Sequence, residues 1–189
     1  MLPSIPGKDV LSSCRPVESN GRRVLNIHYV DRENVEQPNQ NIHSVSRLQV
    51  ISEYESALSF SWSQLTSPNY GWPEIQNATA LPRDVLVCDL NDKYLGVAVD
   101  PIGGRSHLVL NSRTLDVPEI GQYKLRAVAA HELVHLFQFG TPAYQYWPVK
   151  HGRAGEKRDP NWWLHEATAL ALETQLAQSG PAVCAPLFW

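Results

Sequence analysis

The sequence predicts an α+β fold: a small mixed, twisted sheet backed by one helix, with two more helices in the C-terminal half. Three observations predict it. Short β-rich runs bounded by Gly, Pro or acidic residues occupy residues 22–30, 84–90 and 107–110. An apolar stripe with helical spacing lies between the first two runs. Two long helical patterns, each closed by Gly and Pro, follow the third.

In chain order, residues 1–21 read as an irregular lead-in. Residues 22–30 (RRVLNIHYV) alternate well enough for a strand, with Val24, Ile27 and Tyr29 facing inward. From 45 to 65, Leu48, Ile51, Leu58, Trp62 and Leu65 recur at spacings of three, four and seven, which lays them along one side of a backing helix. Ser67-Pro68 and Gly71-Trp72-Pro73 mark turns. Residues 84–90 (DVLVCDL) and 107–110 (HLVL) read as buried strands separated by a break at Gly103-Gly104. A helix entrance at 116–119 leads to a helix over 123–139, closed by Gly140 with Pro142 behind it. The last helix spans 160–178, with Asp159 or Asn161 near its cap and Gly180-Pro181 stopping it. No repeat interrupts this order, so 1–189 reads as a single domain. Its apolar tail, 179–189, either packs on that domain or leads into further chain.

Composition narrows the function classes. The 189 residues are 43% apolar and 19% charged, as expected of one globular domain and not of a disordered chain. Sixteen basic and nineteen acidic residues are dispersed, with a net charge of -3, so no basic surface for nucleic acid is expected. No apolar run approaches the ~20 residues of a membrane span, and the N-terminus lacks the layout of a signal peptide. Cys14, Cys88 and Cys184 are too few and too widely spaced for a disulfide scaffold or a zinc finger; they allow one bridge plus a free thiol and specify no pairing. Asp89, Asn91, Asp92 and Asp100 offer oxygen donors for calcium, but without the spacing or closing Glu of an EF-hand, and an ordinary polar turn is the plainer reading. Nothing in the composition specifies an oligomeric state.

One motif carries chemistry. Within the helix over 123–139 stands His131-Glu132-Leu133-Val134-His135. Residues four apart lie one turn above each other, so His131 and His135 can share one small cation. Two neutral imidazole nitrogens suit Zn²⁺, and Glu132, turned roughly 100° away, is free to act as general base on a water that the zinc acidifies. The flanking Val128-Ala129-Ala130 and Leu136-Phe137 bury this helix, where unpartnered imidazoles are costly. A catalytic zinc usually takes a third protein ligand, and the 160–178 helix offers His165, Glu166 and Glu173 in an otherwise apolar segment.

The metzincin continuation is absent: Gln138 stands at the Gly position, Thr141 at the third His, and the only methionine is Met1. The chain resembles instead the gluzincins, zinc peptidases whose third ligand is a helical Glu downstream. It is most similar to bacterial metallopeptidases carrying AAHExxHxxQ and WxxEATA, here AAHELVHLFQF at 129–139 and WLHEATALALE at 163–173. The resemblance implies a zincin-like fold, one catalytic zinc on His131, His135 and Glu166, Glu132 as base, a protein or peptide substrate, and secretion. His165 competes with Glu166 as the third ligand. Glu173 either orients a ligand His or is a solvated charge. Leu170 departs from the thermolysin-like pattern, which has an acidic residue there. The oxyanion partner is sought among Tyr144, Tyr146, Trp147 and His151. Substrate is expected between an edge strand at 106–111 and the motif helix. Two alternatives remain at this level: a zincin-fold binding module without turnover, and an effector or toxin peptidase with one protein target.

Overall fold

The computed structural model describes residues 13–29, 47–72, 81–88, 90, 94–99, 105–112, 121–140 and 162–178. Among the described residues five strands and three helices follow in the order β1 (Ser13–Ser19), β2 (Arg22–Tyr29), α1 (Arg47–Leu65), β3 (Arg83–Cys88), β4 (Gly96–Val99), β5 (His107–Asn111), α2 (Gly121–Gly140) and α3 (Trp162–Gln178). The strands form one mixed sheet in the order β1-β2-β3-β5-β4, parallel across its three central strands and antiparallel at both edges. The α+β expectation therefore holds.

The lead-in expectation fails at 13–19, which pair with β2 as an edge strand. Pro16 weakens the strand pattern there, yet an edge strand tolerates a missing N–H. Asn20 and Gly21 close the hairpin, both with positive φ (53° and 72°), the conformation that Asn-Gly favours in two-residue turns. A register shift between Val17 and Glu18 lets consecutive Val24 and Leu25 both reach the core, while Tyr29 is only partly buried.

Alternate residues of the central strands, Val85 and Val87, Leu108 and Leu110, are buried under the helices. α1 lies against β1 and β2, α2 against β4 and β5, and the two helices against each other. Ile51, Leu58, Trp62 and Leu65 are buried as expected, and the Trp62 ring meets Phe137 of α2 with centroids 4.8 Å apart. Leu48 is 43% exposed, and Tyr54 takes the inward role instead. The Tyr54 hydroxyl donates to the Asn111 carbonyl at 2.9 Å. Asn111 in turn holds the approach to β4, its side-chain amide donating to the Tyr94 carbonyl and its backbone N–H to that of Leu95.

The edge next to α2 is β4. The strand at 107–111 is internal, flanked by β3 and β4, so the expectation of an edge at 106–111 is corrected. β4 escapes sequence patterning because GVAV is four residues long and lacks polar alternation. Cys14 and Cys88 are not bridged to each other. Among the described residues no helix is long and apolar enough to cross a membrane. The expectations at Asp89, Asn91, Asp92, Asp100, 103–104, 116–119, 142–161 and 179–189, Cys184 included, lie outside the described residues.

Candidate metal centre

Small residues bring α2 close under the sheet. Ala129 and Ala130 are fully buried, as are Leu133, Val134 and Phe137, so this part of the helix is enclosed, and its His131 and Glu132 line a groove shared with α3 and the start of β4. α3 turns a stripe of His165, Ala169, Leu172, Glu173 and Leu176 inward, with Glu166 at the margin of that stripe.

His131, His135 and Glu166 converge, their three donor atoms all within 4.8 Å of one another. The two Nε2 atoms stand 3.2 Å apart. The Glu166 carboxylate faces both, its Oε2 3.4 Å from His131 Nε2 and its Oε1 3.4 Å from His135 Nε2. Donors bonded to one tetrahedral zinc at 2.0–2.1 Å are roughly 3.3–3.4 Å from each other, close to the Nε2–Nε2 separation and to the approach of each imidazole to its nearer Glu166 oxygen.

The outward nitrogens are occupied. Nδ1 of His131 donates to Glu173 Oε2 at 2.9 Å, and Nδ1 of His135 donates to Gln138 Oε1 at 2.8 Å. With the protons held on Nδ1, both Nε2 lone pairs are directed at the shared point. The Gln138 amide orientation follows from its second bond, Nε2 donating to the His165 carbonyl at 3.3 Å.

No protein-family model matches this chain, and no curated protein or solved structure is significantly similar to it. What the cluster can do follows from its own geometry and charge.

Three carboxylates, Glu132, Glu166 and Glu173, surround two imidazoles. Burial alone would lower the His131 pKa, but hydrogen bonds to Glu166 and Glu173 and the nearby Glu132 charge outweigh it and raise it to about 10. The same bonds from His131 and His135, against burial, hold Glu166 down at about 2. A site that retains a proton this strongly is short of positive charge, and a divalent cation supplies it. The donor set therefore fits a divalent metal ion.

Glu132 is not part of the triad of donors. It is buried beside β4, and desolvation raises its carboxyl pKa against the pull of His131, His135 and the Ala98 N–H. Room for it comes from Gly96: a Cβ there would lie 2.7 Å from Glu132 Cγ. Next to this point opens a groove of about 460 Å³, bordered by Tyr94, Leu95 and Gly96 on one side and Leu170 of α3 on the other.

The structure thus brings together His131, Glu132, His135 and Glu166. His165 is buried and outside the cluster, contributing its carbonyl to Gln138. Glu173 is buried against His131, not solvated. Sequence reasoning used Gln138 to exclude the metzincin pattern and within the AAHExxHxxQ resemblance but gave it no partner, although its position three residues after His135 on a buried helix was a signal. Gly96 and Ala98 left none, since their role depends on an unrecognised strand.

Proposed function

We propose that this chain is a zinc-dependent metalloendopeptidase with a zincin-like catalytic domain, its metal held by His131, His135 and Glu166. The observation that carries the reading is the convergence of these three donors, both imidazoles oriented through Nδ1, with the separate carboxylate of Glu132 at the floor of an open groove.

Zinc held there would supply a Lewis acid for the scissile carbonyl and would lower the pKa of a water. Glu132 takes the proton of the attacking water on a carboxylate oxygen and delivers it to the departing amine nitrogen. Its burial suits both halves of that task, because a carboxyl raised above its ordinary value holds a proton more readily than a solvated one. The Ala98 N–H and the space at Gly96 keep the carboxylate in place. β4 has one edge paired with β5 and borders the groove, so an extended peptide can lie along it through main-chain hydrogen bonds.

Metal analysis of the purified protein coupled to digestion of a peptide library tests the reading. One zinc per chain and cleavage abolished by chelation are expected, and Glu132→Gln should retain zinc while losing at least about 10²-fold in hydrolysis. Full activity in that variant would refute the mechanism.

A further inference from the structure

We propose that Gln138 is a positioning residue that couples two of the metal ligands, setting the tautomer of His135 and the placement of Glu166 through one amide; this rests on the metal site proposed above. Gln138 is fully buried. Its Oε1 accepts from His135 Nδ1 at 2.8 Å, and its Nε2 donates to the carbonyl of His165, the residue immediately before Glu166.

A carboxamide presents an acceptor on one side and a donor on the other in a rigid plane. Here each side meets its complement: an imidazole N–H on α2 and a peptide carbonyl on α3. Glutamate at this position would still accept from His135 but would turn an oxygen toward the His165 carbonyl. Methionine would fill the space and serve neither. The arrangement is therefore specific to Gln, and it spans both ligand-bearing helices.

α3 is tied to α2 on either side of Glu166. Gln138 holds it at His165, and His131 holds it at Glu173, two turns further on. Between these ties the Glu166 carboxylate has little freedom to drift from the two Nε2 atoms. Loss of the Gln138 tie releases the start of α3 while leaving the far tie intact, so the third ligand loosens before the first two do.

Zinc affinity, measured by competition with a chelator, tests this in both the native and the Glu166→Ala background. In the native background Gln138→Met and Gln138→Glu should each weaken binding about 10–100-fold. With Glu166 already replaced by Ala, Gln138→Glu should change affinity less than about twofold, since its remaining bond still orients His135. Native affinity in Gln138→Glu would overturn the proposal, and so would equal losses in the two backgrounds, which would confine Gln138 to His135. In the unsubstituted protein the side-chain amide protons of Gln138 should resist exchange with solvent. Rapid exchange would overturn the bridge even if the variants fail to fold. A native protein that takes up no zinc while those protons stay protected would sink the metal site and not the bridge.

Discussion

Replacing Gly96 with alanine places a methyl group where Glu132 now lies. The new Cβ would stand 2.7 Å from Glu132 Cγ, 3.0 Å from Val128 Cγ1 and 3.1 Å from Glu132 Oε1, where ordinary contact begins at 3.4 Å. Neither neighbour yields easily. Cγ is the middle of the Glu132 side chain, whose carboxylate is held by the Ala98 N–H, and Val128 belongs to the buried helix. Relief requires Glu132 or β4 to move by roughly 0.7 Å, and overpacking of this kind typically costs about 1–3 kcal/mol in stability. A displacement near 1 Å at a catalytic group can cost on the order of 10²-fold in rate. Because Glu132 is not among the metal donors, zinc content should stay at the native level while turnover falls about 10–100-fold. Turnover on a peptide chosen from the library digest, zinc stoichiometry and thermal melting separate these effects. Native turnover in a folded Gly96→Ala protein would refute the placement of Glu132 against β4 as the catalytic geometry.

Glu173→Ala removes the acceptor of His131 Nδ1 and should weaken zinc binding about 10–100-fold, with Glu173→Gln, which keeps an acceptor, losing less; equal affinities in a chelator competition would contradict an orienting role. In the metal-free protein the His131 pKa of about 10 lies above its ordinary 6.5, so its ion pairs stabilise fully below pH 6.5 and are lost as pH rises through 10. Zinc competes with that proton, so the melting-temperature gap between zinc-loaded and chelated protein should widen between about pH 7 and about pH 9; a constant gap would argue against His131 as a ligand. Trp62→Ala opens a cavity between α1 and Phe137 and should cost about 3–5 kcal/mol by denaturant unfolding, with the metal donors themselves untouched.

Much of this was legible in one dimension because helices report themselves locally. Four-residue spacing put His131 and His135 on one line, and the Ile51, Leu58, Trp62 and Leu65 stripe marked the buried side of α1. The strands were less legible. β1 was missed behind Pro16, although Asn20-Gly21 was a hairpin signal, and β4 was missed because four small apolar residues carry no period. Missing β4 also misplaced the sheet edge at β5.

By itself, then, the sequence determined the two histidines, the glutamate beside them, and the helices on which they stand, since all of these depend on the pitch of a single helix. Only the tertiary structure placed Glu166 and not His165 beside the two histidines, buried Glu173 against His131, and brought Gln138 and Glu132 to their partners. Those outcomes depend on the rotation and depth at which α3 and β4 pack on α2. Adjacent residues on a helix point roughly 100° apart, so a modest rotation exchanges ligand for core residue, and nothing local in the chain records that angle.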